Sequence, residues 1–175
     1  IGYSIAGASV AVQGFGNVGY HAALTLEEMG ATIVAVSDSR GGTYNSKGID
    51  LSLTTKAKEQ SGSCKDYPNG DSVTNSELLA LPVDVLVPSA TEGQINDITA
   101  RSVKAKLVIE GANGPTTPEA DRILAGNGSL VVPDILANAG GVIVSYFEWV
   151  QNSQSYFWDL SFIQQNLDRM MREAF

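Results

Sequence analysis

Residues 10–19 read VAVQGFGNVG, an apolar run that meets three glycines, Gly14, Gly16 and Gly19. Residues 17–29 follow at once with an apolar stripe at helical spacing, so the order predicts a strand, a tight turn and a helix. Gly14 permits the turn, Gly16 lets a pyrophosphate approach the backbone, and Gly19 lets the helix pack on the strand. A diphosphate would then lie at the helix N-terminus, where free N–H groups and the positive end of the helix dipole favour an anion.

The second apolar run is followed by an aspartate whose distance in sequence from the glycine turn is informative. Residues 31–36 read ATIVAV, and Ser37 and Asp38 follow. Asp38 lies 19 positions after Gly19 (38 minus 19), close to the roughly 20 typical of the acid that binds the adenosine ribose of a dinucleotide. An aspartate that only ends a strand is the alternative, and the agreement of strand and turn favours the ribose role.

Composition bounds the class of protein. The chain has 175 residues, of which 43% are hydrophobic and 17% charged, which suits a single globular domain with a sizeable core. The net charge of −8 argues against nucleic acid and against an anionic membrane as partners. Cys64 is the only cysteine, so no internal disulfide can form, and without a signal-peptide pattern we expect a cytoplasmic protein. No metal-ligand cluster is evident in the sequence.

The order of the remaining segments predicts an α/β fold. Further apolar runs at 83–87, 105–109 and 130–132 are continuous, as in parallel strands buried on both faces. Predicted helices alternate with the strands, at residues 51–60, 75–81, 97–103 and 118–124, the last capped by Thr116 with Glu119 or by Thr117. A short strand is predicted near 72–74. We therefore expect a doubly wound, mostly parallel sheet of the Rossmann type over residues 1–150.

The rest of the chain is predicted to be loop or helix. Residues 40–45 are glycine-rich and read as a loop. Residues 142–150 read as a buried helix that breaks at 151–156, and helix resumes at 160–175. Five aromatic residues of this part are expected to pack in a core or between domains: Tyr146, Phe147, Trp149, Phe157 and Trp158. Residues 151–175 are thus a trailing helical segment of the same domain.

Small and amide residues follow three of the predicted strands, at 88–91, 110–115 and 133–141. The carboxyl ends of parallel strands meet at one edge of a sheet, which is where open α/β sheets bind ligands. Asn113 and Asn138 each offer a donor and an acceptor, as a nicotinamide carboxamide requires. Each loop alone is explained by turn formation, but two such loops beside a pyrophosphate turn favour a binding role.

Four strings carry a family resemblance: VAVQGFGNVG, VAVSDSRGGTYNSKGID, EGANGPTTPEAD and VPDILANAGGVIVSYFEWVQN. They resemble, in order, the C-terminal cofactor-binding domain of the hexameric bacterial and archaeal glutamate dehydrogenases, over nearly all of residues 1–175. Leucine, phenylalanine and valine dehydrogenases share the glycine turn and the fold, but usually differ over residues 110–121. A relative of that kind is one alternative, and a stand-alone NAD(P)-binding sensor or interaction module is another.

The resemblance implies a role for each matching residue. Gly14, Phe15, Gly16, Asn17 and Val18 would hold the pyrophosphate. Asp38 and Ser39 would meet the adenosine ribose, and Ala90 and Thr91 would lie along the middle of the cofactor. Asn113 and Asn138 would lie beside the nicotinamide ribose and ring. Ser145 would bind the side-chain carboxylate of the substrate.

The resemblance also implies what these residues lack. The family's catalytic lysine and aspartate belong to an N-terminal domain that precedes this segment, so no catalytic residue is expected in this chain. The parent protein would be a homo-hexamer that interconverts L-glutamate and 2-oxoglutarate. The abrupt ends of the chain favour a piece of such an enzyme, able to bind cofactor without turning over substrate.

The cofactor would be NAD or NADP. Asp38 favours NAD because a carboxylate repels a 2′-phosphate, whereas Arg40 offers a guanidinium that could bind that phosphate. We expect both to bind, with NAD slightly favoured. A P-loop nucleotidase is excluded, because the glycine turn does not end in Gly-Lys-Ser/Thr.

Overall fold

The computed structural model describes residues 4–175, which form a seven-stranded sheet in the order β4-β3-β2-β1-β5-β6-β7. Strands β1, β2, β5, β6 and β7 are parallel; β3 pairs antiparallel with β2, and β4 pairs antiparallel with β3. The strands are β1 (Ser9–Gln13), β2 (Thr32–Asp38), β3 (Gly41–Tyr44), β4 (Asp71–Val73), β5 (Val85–Pro88), β6 (Leu107–Ile109) and β7 (Leu130–Val132). The predicted α/β class with a mostly parallel sheet is confirmed.

Seven α-helices and two short 3-10 helices connect and flank the described strands. The α-helices are α1 (Asn17–Glu28), α2 (Leu51–Ser61), α3 (Asn75–Leu79), α4 (Pro118–Gly126), α5 (Asp134–Ala137), α6 (Ala139–Gln154) and α7 (Leu160–Ala174). The 3-10 helices are Cys64–Asp66 and Thr99–Ser102. Thr117 caps α4 by accepting from the Ala120 N–H, with Pro118 in the first turn, so the Thr117 alternative is the correct one.

Apolar side chains form one core on each face of the sheet. Successive side chains of a strand point to opposite faces, so Val10 and Val12 enter one core while Ala11 enters the other. The first core includes Ala23 of α1, and the second includes Leu124 of α4. The central strands are therefore buried on both faces, as their continuous apolar runs predict.

The chain reverses its direction of growth across the sheet at β1. From β1 it adds β2, β3 and β4 on one side, and β5, β6 and β7 then extend the other side. The connections leaving β1 and β5 therefore diverge, and a crevice opens at their carboxyl ends. Ligands of doubly wound sheets bind at such a switch point. This topology places the glycine turn after β1 beside the loop after β5.

Three sequence predictions about the sheet and its connections are wrong. Residues 40–45 are not a loop, because Gly41–Tyr44 forms β3, a hairpin partner of β2. A Cβ at Gly42 would overlap the Val36 carbonyl oxygen, so the strand needs a glycine that weakens its sequence signal. Residues 97–103 form only the 3-10 helix Thr99–Ser102. Leu130–Val132 is an edge strand and is partly exposed, so the prediction that this strand is buried on both faces is wrong.

The C-terminal helices are more exposed than their composition predicts. Helix α6 runs unbroken to Gln154, so the break predicted at residues 151–156 is wrong for residues 151–154. The helix is not buried: Val142 is 74% exposed and Trp149 is 64% exposed. Tyr146, Trp149 and Phe157 are exposed, so they lie outside the core of the described residues, and packing between domains stays a prediction for them; Phe147 is buried and Trp158 is half-buried. Phe147 and Trp158 meet edge to face where α6 and α7 pack together. The local sequence pattern identifies the helices but not what covers them.

Candidate functional site

The glycine turn between β1 and α1 is shaped by two glycines and open at the third. Gly14 has φ +92°, and a Cβ there would lie 2.7 Å from the backbone of Ala90. A Cβ at Gly19 would overlap the Gly14 carbonyl oxygen. By contrast, a Cβ at Gly16 would meet no atom of residues 4–175 within 4 Å. The fold therefore requires Gly14 and Gly19, and the backbone at Gly16 faces open space.

Hydrogen bonding leaves the N-terminus of α1 available. The N–H groups of Gly14 and Phe15 both donate to the Ser37 carbonyl oxygen, over 3.0 and 2.6 Å. The next N–H groups, from Asn17 onward, open α1, and no described side chain caps that end. The first turn of a helix has no intrahelical acceptor for its N–H groups. The turn thus presents uncapped donors and a positive dipole end to the crevice.

Phe15 acts differently from its neighbours in the turn. Its side chain is buried and meets Tyr20 edge to face. Its carbonyl oxygen accepts a hydrogen bond from the Lys58 ammonium of α2, whose nitrogen lies 5.9 Å from the Phe15 ring centre. Lys58 was not identified from the sequence, since a lysine on an exposed-looking helix carries no motif. It fixes the turn and adds a positive charge beside it.

Asp38 lies at the carboxyl end of β2 and is held by three donors. Oδ1 accepts from the Arg40 N–H at 2.8 Å and from the Ser63 hydroxyl at 3.1 Å, and Oδ2 accepts from the Cys64 N–H at 2.6 Å. Burial would raise the pKa of Asp38, but the hydrogen bonds from Cys64, Arg40 and Ser63 outweigh it and lower the pKa below its ordinary value of 3.8. Asp38 is therefore an ionised carboxylate at neutral pH.

The surroundings of Asp38 are also ordered. Asn75 donates to the Asp38 carbonyl oxygen at 2.9 Å and accepts from the Ser37 hydroxyl at 2.7 Å. The Arg40 guanidinium donates to the Ser61 carbonyl oxygen at 3.2 Å, and Ser39 is exposed beside it. Cys64 is fully buried. Burial, followed by the nearby Asp38 charge, raises its pKa to about 12, so the thiol stays neutral.

A cleft of about 680 Å³ lies on the other side of the glycine turn. Its walls come from the start of α1, from the loops after β5 and β6, and from the α5–α6 junction, and include Val18, Ala90, Thr91, Asn113 and Asn138. All five are residues that the sequence analysis proposed as cofactor contacts. The structure brings them to one cleft at the carboxyl edge of the sheet.

The two asparagines of the cleft form a pair. The Asn138 Nδ2 donates to the Asn113 Oδ1 at 2.7 Å. This bond leaves the Asn138 Oδ1 as an acceptor and the Asn113 Nδ2 as a donor. A primary carboxamide needs one donor and one acceptor, and the pair keeps one of each.

Two acidic residues that the sequence analysis did not single out hold the asparagine pair in place. Glu110, only 6% exposed, accepts from the Asp134 N–H at 2.9 Å at the start of α5. The Asp134 carboxylate in turn accepts from the Gly114 N–H at 2.8 Å. These bonds join the loop carrying Asn113 to the helix that ends at Asn138. An acidic residue directly after a strand was the available signal for Glu110.

Ser145 lies on α6 and is exposed. It follows Gly141 of the cleft wall by four residues, which places both on one face of the helix. Ser145 is therefore one helical turn beyond the cleft.

Two further features are absent from residues 4–175. Among residues 4–175 no group of three or more His, Cys, Asp or Glu side chains is placed to hold a metal ion. None of the helices in the described part of the chain has the length and apolar character that crossing a membrane requires.

The chain is similar to known dehydrogenases over its whole length. Residues 1–175 match the sequence profile of the Glutamate/Leucine/Phenylalanine/Valine dehydrogenase family. A glutamate dehydrogenase of Thermotoga maritima is 60% identical over 169 residues, which cover 96% of this chain and 41% of the relative. A cryptic catabolic NAD-specific glutamate dehydrogenase of Bacillus subtilis is 45% identical over 174 residues, covering 99% of this chain and 40% of the relative.

Solved structures show the same correspondence. The hetero-hexameric glutamate dehydrogenase of Thermus thermophilus, in a leucine-bound form, superposes with a TM-score of 0.91 at 38% identity, over 98% of this chain and 40% of that one. The glutamate dehydrogenase of Peptoniphilus asaccharolyticus gives 0.74 at 37% identity, over 95% and 38%. This chain thus spans about two fifths of the length of these relatives. It belongs to the glutamate, leucine, phenylalanine and valine dehydrogenase family.

Proposed function

We propose that this chain is the dinucleotide-binding domain of an NAD(P)-dependent glutamate dehydrogenase. One observation carries the proposal: the uncapped N-terminus of α1, with open space at Gly16, lies at the crevice between β1 and β5. Such a helix end favours a diphosphate. The 60% identity to a glutamate dehydrogenase supports the glutamate branch of the family over the leucine, phenylalanine and valine branches.

The cofactor would lie along the carboxyl edge of the sheet. The N–H groups of Gly16, Asn17 and Val18 would hold the pyrophosphate, while Gly14 and Phe15 shape the turn. Ala90 and Thr91 would line the middle of the cofactor. The free acceptor of Asn138 and the free donor of Asn113 match the carboxamide of nicotinamide.

The adenosine end would lie against Asp38 and Ser39. The Asp38 carboxylate keeps a negative charge at neutral pH, which disfavours a 2′-phosphate. The Arg40 guanidinium is engaged by the Ser61 carbonyl oxygen and must leave it to bind a phosphate fully. We therefore propose that both cofactors bind and that NAD binds more tightly.

Replacing Arg40 tests this preference. If Arg40 recognises the phosphate, Arg40→Ala weakens NADP by about 1.5–3 kcal/mol and leaves NAD nearly unchanged, as measured by titration of each cofactor. Equal losses of affinity for both cofactors would show that Arg40 does not discriminate between NAD and NADP.

The reaction proposed for the intact protein is the reversible oxidative deamination of L-glutamate to 2-oxoglutarate and ammonia. The nicotinamide, when bound, supplies the hydride acceptor. Residues of this chain would bind and orient the cofactor, and Ser145, one turn beyond the cleft, would contact the substrate carboxylate. The family's catalytic lysine and aspartate have no counterpart here, so we assign no catalytic role to residues 1–175.

Assembly and location are proposed on the same basis. The Thermus thermophilus neighbour is hetero-hexameric, which supports an oligomer, and for the protein containing this chain we propose a homo-hexamer. The single cysteine, buried with a neutral thiol, suits a reducing cytoplasm.

The test compares binding with turnover. The purified 175-residue chain should bind NADH, seen as a saturable change in nicotinamide fluorescence, and should produce no NADH from NAD⁺ and L-glutamate at 340 nm. Failure to bind would contradict the assignment as a cofactor domain. Steady turnover would contradict the assignment of the catalytic groups to another part of the protein.

A further inference from the structure

Three side chains form a hydrogen-bonded relay beneath the cleft, which we call the Gln13 relay: Gln13, Gln94 and Thr91. Gln13 is the last residue of β1 and is 1% exposed. Its Nε2 donates to the Gln94 Oε1 at 2.9 Å, and the Gln94 Nε2 donates to the Thr91 Oγ1 at 2.9 Å. The relay runs from the central strand to a residue of the cleft wall.

The donor-to-acceptor direction of the Gln13 relay follows from its buried end, Gln13. In the observed arrangement the Gln13 Oε1 is buried and has no hydrogen-bond partner among the described residues. Reversing the relay would turn that oxygen toward Gln94 and leave the Gln13 NH₂ group without an acceptor. A buried carbonyl oxygen without a partner is better tolerated than a buried N–H group without one. Gln13 therefore donates, and Gln94 donates in turn.

This direction decides what Thr91 can offer. Its Oγ1 accepts from Gln94, so the single hydroxyl hydrogen of Thr91 remains to be donated elsewhere. Thr91 is exposed and lines the 680 Å³ cleft. Its hydroxyl is thus set as a donor toward an oxygen atom in the cleft.

We infer that Gln94 is a positioning residue that holds the Thr91 hydroxyl as a hydrogen-bond donor to an oxygen of the nicotinamide half of the dinucleotide. The acceptor is a ribose hydroxyl or the phosphate next to it. This inference rests on the proposed function, because the dinucleotide supplies the acceptor. Gln94 does not contact the cofactor and acts only through Thr91.

The backbone of the Gln94 loop is held independently of the Gln94 side chain. The Gly93 N–H donates to the Gly114 carbonyl oxygen at 2.9 Å, and the Ile95 N–H donates to the Pro115 carbonyl oxygen at 2.8 Å. The Thr99 hydroxyl donates to the Gln94 carbonyl oxygen at 2.9 Å. A substitution of the Gln94 side chain therefore leaves the loop backbone in place. Gln94→Leu also removes the acceptor of the buried Gln13 Nε2, so the unfolding free energy of each variant is measured beside its affinity.

A double-mutant cycle on NAD⁺ affinity tests the inference. Calorimetric titration should show that Thr91→Val and Gln94→Leu each weaken NAD⁺ by roughly 3- to 10-fold, the range for one neutral hydrogen bond. The double variant should be no weaker than Thr91→Val alone, because Gln94 acts through that hydroxyl. Gln94→Glu should weaken NAD⁺ as Thr91→Val does, since its carboxylate would take the Thr91 hydrogen.

ADP, which lacks the nicotinamide half, is the ligand control and should bind all these variants within about twofold of wild type. Thr116→Val is the matched protein control, since Thr116 is a threonine outside the relay, and it should keep wild-type NAD⁺ affinity.

The measured affinities distinguish a failure of the Gln94 inference from a failure of the proposed function. If the wild-type chain binds NAD⁺ and the losses from Thr91→Val and Gln94→Leu multiply in the double variant, Gln94 does not act through Thr91 and this inference is overturned. Unchanged NAD⁺ affinity in Gln94→Leu, or equal losses for ADP, would overturn it as well. If the wild type binds neither NAD⁺ nor ADP, the proposed function itself fails, and this inference fails with it.

Discussion

The two ends of the proposed cofactor site differ in how their polar groups are used. At the β2 end, the Asp38 carboxylate accepts three hydrogen bonds from the protein itself. In the cleft, the Asn113–Asn138 pair makes one internal hydrogen bond and keeps one amide donor and one amide acceptor for a ligand. The first end is ordered by folding, whereas the second is completed only by a ligand. Substitutions at Asp38 should therefore cost stability, and substitutions in the cleft should cost binding alone.

The largest expected effect is on the turn that both ends share. Gly19→Ala places a methyl group against the Gly14 carbonyl oxygen and should destabilise the chain by about 3 kcal/mol or more, measured by urea unfolding. Gly126→Ala, in α4, is the matched control because its Cβ would meet no atom of the described residues within 4 Å, and it should stabilise the chain by about 0.5–1 kcal/mol. Equal effects from the two substitutions would show that the glycine turn is not tightly packed.

A smaller effect is expected at Asp38. Asp38→Asn replaces a charged acceptor of three hydrogen bonds by an amide and should destabilise the chain by about 1.5–3 kcal/mol at pH 7. Asp97→Asn, at an exposed position, should change stability by less than about 0.5 kcal/mol. A neutral effect of Asp38→Asn would mean that Asp38 does not organise this end.

Acid should remove the stabilisation that the Asp38 carboxylate gives to the folded chain. The pKa of Asp38 is lowered in the folded chain, so the unfolded chain binds the proton more tightly. The stability difference between wild type and Asp38→Asn should therefore be constant well above pH 3.8, and should shrink as the pH falls below 3.8 through the lowered pKa. Unfolding curves at neutral and acidic pH measure it, and a difference that grows on acidification would contradict the hydrogen-bond account.

The smallest effect is expected in the cleft, where a substitution should weaken NAD⁺ binding without lowering stability. Asn138→Ala removes one side of the asparagine pair and should weaken NAD⁺ by about 1 kcal/mol, while the free energy of unfolding changes by less than about 0.5 kcal/mol. Titration and urea unfolding of the same sample give both values. If Asn138→Ala lost more unfolding free energy than NAD⁺-binding free energy, the cleft would behave like the Asp38 end, and the contrast between the two ends would be contradicted.

The sequence predicts those features whose signal is local. The glycine turn, Asp38 and the amide-rich loops are read directly, because spacing and strand ends place them on one edge of the sheet. The partners of Asp38 are not predicted, since Ser63 and Cys64 lie 25 and 26 positions away and meet it because the 3-10 helix Cys64–Asp66 packs against β2 and β3. The same holds for the relay from Gln13 to Gln94, which are 81 positions apart.

Burial of the C-terminal helices is the other failure, for a different reason. Helix α6 is apolar enough to suggest a core position, yet Val142 and Trp149 are exposed. Hydrophobicity reports that a surface tends to be covered, but it does not report what covers it.

Titration of NAD⁺ into wild type and Gly16→Val tests the central claim most directly. The space at Gly16 is open and its φ of −90° is accessible to valine, so the variant should fold with nearly unchanged thermal stability. Its side chain would occupy the position of the pyrophosphate, so saturable binding seen in wild type should be lost. Equal NAD⁺ affinity in the two proteins would place the phosphate site elsewhere and contradict the account.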